Sequence, residues 1–161
     1  MKILQICSKS PLLLKDGGSI ATHSLTQGLI SCGNQVKVIA IHTPKHNLNN
    51  ISVDEKYKQT IVSASVFIAP SIKTHKAFFN FFSSKSYNVN RFYSKEFETL
   101  IIKTITQETY DIIQLESLWV TPYLNMIKKN SKAKIVLRSH NVEYKIWEQL
   151  AKVESNPIKK I

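Results

Sequence analysis

A chain of 161 residues is one domain's worth of sequence, taking about 150 residues per domain as the prior. With 43% apolar and 20% charged residues it has the composition of a globular chain with a core of its own, which excludes a disordered tail. Its 22 Lys+Arg against 11 Asp+Glu leave a formal charge of +11, an excess that points to an anionic partner such as a membrane surface, a nucleotide or a nucleic acid.

Nearly all of that excess is lysine. Only Arg91 and Arg138 are arginines, and isoleucine and asparagine are abundant, the mixture that AT-rich codons produce. Arginine dominates where bases or phosphates are gripped bidentately, so sequence-specific nucleic-acid binding is disfavoured. Cys7 and Cys32 form neither a C-x-x-C nor a metal-spaced cluster, and no zinc or other metal site is expected. The apolar run after Met1 is too short for a signal sequence. No stretch approaches the roughly 18 apolar residues of a membrane span. The expected location is the cytosol.

Residues 2–7 (KILQIC) are short, β-branched and bounded by a polar loop, the pattern of a buried strand. The loop Ser8–Gly18 holds Pro11, Asp16 and the pair Gly17-Gly18. From Ser19 the spacing becomes helical: Ile20, Leu25, Leu29 and Ile30 can share a face, and Gly33 stops the helix. Gln35–Ile41 reads as a second strand, so the chain opens on a crossover unit. Pro44–Gln59 is polar and reads as loop with a short helix, and Thr60–Ala69 as a strand. Lys73–Phe82 and Phe92–Thr109 read as helices joined by a linker at Tyr87. Asp111–Leu115 is a strand, Thr121–Lys129 a helix, Lys134–Arg138 a strand, and Val142–Val153 a helix with Asn141 as its N-cap. The expected architecture is α/β: one doubly wound, mainly parallel sheet with helices on both faces. Asn156-Pro157 then opens another helix, which marks residues 1–161 as the N-terminal part of something longer.

In such a sheet, ligands bind outside the carboxyl ends of the strands. That rule selects Gly17 and Gly18, Glu116, and the turn Arg138-Ser-His140-Asn141 with Glu143 beyond it. Glycines before a helix let backbone N–H groups approach a phosphate, with the helix N-terminus adding positive potential; the plainer reading is a tight turn. Glu116 reads as a lone exposed acid or as a ligand for an acceptor hydroxyl. His140 belongs either to a polar capping turn or to a site. No G-x-G-x-x-G and no Walker A motif is present. The E-x7-E spacing of Glu108 and Glu116 is coincidental, since the two end different elements. Between Lys56 and Lys95 there is no acid, and Phe78, Phe79, Phe81, Phe82, Tyr87, Phe92, Tyr93 and Phe97 gather there or just beyond. That mixture suits either an anionic lipid interface or ordinary packing beside a solvated basic face.

The stretches Met1-Lys-Ile-Leu-Gln-Ile, Lys15-Asp-Gly-Gly-Ser-Ile-Ala-Thr, Tyr110-Asp-Ile-Ile-Gln-Leu-Glu-Ser-Leu and Lys134-Ile-Val-Leu-Arg-Ser-His-Asn-Val-Glu-Tyr resemble, in that order, the start of a bacterial glycosyltransferase of family 4. The resemblance implies the acceptor-side half of a GT-B enzyme, retaining and metal-independent, that moves a sugar from a nucleotide diphosphate donor to a hydroxyl in glycan or polysaccharide synthesis. It implies no cofactor. Gly17 and Gly18 match the loop whose amides approach the donor diphosphate, and His140 matches a histidine beside the donor sugar. Glu116, Arg138, Asn141 and Glu143 match the cleft edge, on the acceptor side. The family's donor-binding half is not in these residues, so the chain alone is expected to be catalytically incomplete. Expected partners are a nucleotide sugar, a sugar or lipid-linked acceptor, and an anionic membrane surface at which the protein is peripheral. The alternative is a non-catalytic module that docks on such a membrane or on a lipid-linked glycan.

Overall fold

Strand β1 (Lys2–Cys7) runs through the middle of a five-stranded sheet, with β2 (Gln35–His42) and β3 (Val62–Phe67) to one side and β4 (Ile112–Glu116) and β5 (Lys134–Arg138) to the other. The order is β3-β2-β1-β4-β5 and every pairing is parallel. This is a Rossmann-like α/β fold. The computed structural model describes residues 1–12, 14, 16–43, 62–69, 87–141 and 143–153. Parallel strands need crossovers, and helices supply three of them: α1 (Gly17–Ser31) between β1 and β2, the single turn α2 (Tyr87–Asn90) with α3 (Lys95–Gln107) between β3 and β4, and a 3-10 helix (Leu118–Tyr123) running into α4 (Leu124–Asn130) between β4 and β5; α5 (Glu143–Val153) follows β5.

The two faces of the sheet differ in chemistry. One carries Leu4, Ile6, Ile39, Ile41, Ile113 and Leu115, all within 1% of full burial, against Phe97, Ile101 and Ile105 of α3 and against Val120, Tyr123 and Ile127. The spacing of the α3 residues puts them on one helical stripe. Ser94 caps α3 by accepting from the Phe97 amide, and Glu96 and Glu98 sit in its first turn, where the helix dipole favours acids. The opposite face is mixed. Val38, Ala40 and Cys7 make a small apolar cluster with Ile30, but Gln5, Gln114 and Glu116 are buried beside them. Register makes this a continuous strip, since Gln5 pairs with Gln114 and Cys7 with Glu116.

That polar strip changes how α1 packs. The expected apolar face is not what it buries: Ile20 is 48% exposed, and the buried residues are Ser19, Thr22 and Thr26. Small hydroxyl residues let the helix come close to the sheet and reach polar groups there. Thr26 Oγ1 donates to Gln5 Oε1 at 2.6 Å. The helix also starts earlier than its spacing indicates. Gly17 and Gly18 are its first two residues, because Asp16 acts as N-cap in a capping box with Ser19. Gly33, at φ 79°, ends it as expected, with the Asn34 amide donating to the Leu29 carbonyl.

Asp16 accepts from the Ser19 amide at 2.9 Å and meets Lys9 Nζ at 2.5 Å. Burial pushes its carboxyl up, but Lys9 and the Ser19 amide outweigh that and hold it down at about 2. A depressed folded-state value contributes stability above the ordinary carboxylate range and loses it as pH falls through about 2. Asp16→Ala is therefore expected to cost about 1 kcal/mol near neutral pH, the usual worth of an N-cap. The gap from wild type should close as urea unfolding is repeated from pH ~4 downward. A gap that persists undiminished at the acid end would mean that the cap acts without its charge.

Other boundaries shift for local reasons. The expected linker at Tyr87 is the helical turn α2, and the following helix begins at Lys95, where Ser94 can cap it, not at Phe92. The expected helix from Thr121 is split, with a 3-10 segment containing Pro122 before α4. The last helix spans Glu143–Val153, leaving Asn141 two residues before its start. Lys15, Pro44–Gln59, Lys73–Phe82 with its four phenylalanines, Val142 and Asn156-Pro157 lie outside the described residues. Of the basic aromatic stretch that is described, Phe97 and Tyr93 pack on Tyr123, and Phe92 on Trp119 at 5.0 Å between ring centroids. These rings meet the chain's own aromatics. Among the described residues no helix is long and apolar enough to cross a membrane.

Candidate functional site at the carboxyl edge

All five strands point the same way, so their carboxyl ends share one edge, and the order reverses between β1 and β4. Such a reversal opens a crevice where ligands bind. The last residues of these two strands, Cys7 and Glu116, are register partners. Burial, and then the Glu116 carboxylate, push the Cys7 thiol up, so it stays protonated and is no nucleophile.

Glu116 is the hub of the edge. It is not the exposed acid that its position at a strand end invites; it is 2% exposed. Gln114 Nε2 donates to its Oε1. Its Oε2 accepts from Arg138 NH1 at 3.0 Å, and Thr22 Oγ1 lies 3.1 Å away. His140 Nε2 lies 2.9 Å from the same oxygen. Both of its oxygens accept from neighbouring side chains, so Glu116 positions Gln114, Arg138 and Thr22.

Through these contacts the structure brings four sequence-predicted residues together. Thr22 Oγ1 reaches both Glu116 and, at 2.9 Å, the Gly18 carbonyl, serving one at a time with its single hydrogen. Gly18, Glu116, Arg138 and His140 therefore lie on one edge and in one network. Gly17 and Gly18 are the first two residues of α1, and neither amide has an intramolecular acceptor among the described residues. A Cβ on Gly18 would lie 2.9 Å from Lys9 Nζ, whereas one on Gly17 would meet nothing. The helix end thus offers two free N–H groups beside an ammonium. Asn141 is exposed, its carbonyl accepting from Ser139 Oγ, and it does not join the network. Glu143 begins α5, and its side chain lies outside the described set.

Thr22, Gln114 and Ser117 have no place in the reading of the sequence. Gln114 and Glu116 were detectable as two polar residues on one face of an otherwise apolar strand. Ser117 follows directly, at φ 94° and ψ 153°, a region nearly reserved for glycine that costs about 1–3 kcal/mol. Its hydroxyl accepts from the Trp119 amide and its own amide donates to the Arg138 carbonyl, contacts that hold the strained turn. Glu108 sits at the other end of β4, paired with Lys2 and Lys37, so its spacing from Glu116 is coincidental. A groove of about 720 Å³ near Tyr110, Asp111, Lys132 and Lys134 also lies at that amino-terminal edge, away from the network. Among the described residues no three His, Cys, Asp or Glu are grouped so as to hold a metal. Comparison of the chain with family models, with curated proteins and with solved structures finds no match.

Proposed function

We propose that this chain is the acceptor-side domain of a retaining, metal-independent glycosyltransferase of the GT-B type, working with a nucleotide-binding half. The observation that carries the reading is the Glu116 network, which ties the open N-terminus of α1 to His140 across the crevice. In this reading the Gly17 and Gly18 amides and Lys9 stabilise charge on the departing diphosphate. His140, placed beside Glu116, orients the donor sugar. The acceptor hydroxyl attacks from the face the diphosphate leaves, and the phosphate oxygen takes its proton. The domain contributes placement and charge, the terms that dominate when no covalent step falls to the protein.

The test is transfer by the full-length protein with nucleotide diphosphate sugars screened as donors. Gly17→Ala places a methyl in open space at a helix start, so stability should hold or rise by about 0.5 kcal/mol. Donor affinity should nevertheless fall about tenfold, because the methyl obstructs the approach of phosphate. His140→Ala should slow transfer about 100-fold, in the range of a lost preorganised contact. Transfer unchanged in both variants would sink the reading.

A further inference from the structure

Of the two arginines in the chain, Arg138 is held by Glu116, whereas no hydrogen bond or ion pair engages Arg91 among the described residues. Its Nε is buried without an acceptor. Its guanidinium carbon sits 5.3 Å from the Phe92 ring centroid and 6.0 Å from that of Trp119, within cation–π range of both. The platform is fixed from below. Tyr123, fully buried, donates its hydroxyl hydrogen to the Phe92 carbonyl at 2.9 Å, and Trp119 is set by the strained turn at Ser117. Trp119 stands three residues past Glu116, on the 3-10 helix that leaves the carboxyl end of β4, so the arginine borders the ligand edge.

A guanidinium held within cation–π distance of two rings and without an acceptor among the described residues is a preorganised fork for an oxyanion. The half-exposed indole and phenyl beside it offer an apolar surface of the kind a sugar ring can cover. We infer that Arg91, Phe92 and Trp119 form a subsite for a glycosyl phosphate, the guanidinium taking the phosphate and the aromatic rings the sugar. The inference rests on the proposed glycosyltransferase reading only in making this group part of the acceptor.

The test uses the two-arginine composition. Arginine Nε–H resonances in a ¹⁵N spectrum should number two, one for Arg91 and one for Arg138, the second reporting whether the fold is intact. Titration with a hexose 1-phosphate should move the Arg91 resonance with millimolar affinity, and free hexose should not. Inorganic phosphate should bind about fivefold more weakly, for want of a ring to stack. Arg91→Lys, in which binding is followed through the Trp119 indole N–H because the Arg91 resonance is gone, should weaken hexose 1-phosphate binding about tenfold, because an ammonium cannot form the bidentate pair, while leaving the Arg138 resonance in place. A polyprenyl-phosphate hexose in micelles is the second arm: tighter binding there marks a lipid-linked ligand, and equal binding a soluble one. An unmoved Arg91 resonance at tens of millimolar, equal affinity for phosphate and sugar phosphate, or undiminished binding by Arg91→Lys would each overturn the inference. No nucleotide sugar enters this titration, so failed transfer beside intact binding would count against the enzyme reading and not against the subsite.

Discussion

Replacing Glu116 with alanine should lower unfolding stability by about 3 kcal/mol, the low end of what removing one partner of a buried ion pair costs. Gln114, Arg138 and Thr22 lose their acceptor in that variant, and His140 loses the carboxylate 2.9 Å from its ring. Arg138 recovers part of the loss, because its side chain is 31% exposed and can reach water, and Thr22 can turn to the Gly18 carbonyl. Gln114, 8% exposed, and the largely buried His140 ring have no such outlet, which keeps the cost well above that of a surface pair. For a chain of this length the melting temperature should drop by about 6–12 °C. Glu116→Gln keeps the volume but puts an NH2 group among donors, so about half the loss should remain. A glutamine variant as stable as wild type would show that the charge organises nothing.

Phe97→Ala should be costlier still, about 4 kcal/mol, because it removes a fully buried ring and leaves a cavity. Phe97 meets the edge of Tyr123 at 5.3 Å between centroids and lies beside the sheet residues of the main core. The backbone around it is pinned, which limits collapse into the void: the Tyr123 oxygen accepts from the Ser94 amide at 2.8 Å and donates to the Phe92 carbonyl. Against a typical domain stability of about 5–15 kcal/mol, that loss brings the chain close to unfolding, visible as a large shift in the urea midpoint. Tyr123→Phe is the contrasting case. It keeps the ring and strands one amide and one carbonyl, so about 1–2 kcal/mol is expected. A Phe97→Ala loss no larger than that of Tyr123→Phe would place the main core elsewhere.

The strands were legible because each is a short β-branched run between polar segments. The buried β1 and the largely exposed edge strand Lys134–Arg138 both match the reading residue for residue. The carboxyl-edge grouping of Gly18, Glu116 and His140 was legible for the same reason: once strands alternate with helices, parallel order follows, and parallel order puts those residues at one edge. The buried face of α1 was not legible. Its apolar residues mark a stripe through Ile20, but the helix turns Ser19, Thr22 and Thr26 to the sheet, because the strip it meets carries Gln5, Gln114 and Glu116. A helix read by itself contains no record of the polarity of its partner surface.

The sequence by itself determined the elements, their alternation and hence the edge on which a ligand would be met, because local composition and period are enough for those. Only the tertiary structure decided what Glu116 is. Written as the last residue of a strand it is an exposed acid; folded, it is enclosed by Gln114 from its own strand, Thr22 from α1, Arg138 from the neighbouring strand and His140 beyond it. The same holds for Arg91, whose buried Nε has no acceptor among the described residues and whose aromatic bed includes Trp119, distant in sequence. Burial and pairing are properties of residues that meet across the fold, and their free energies belong to the assembled site rather than to any segment of the chain.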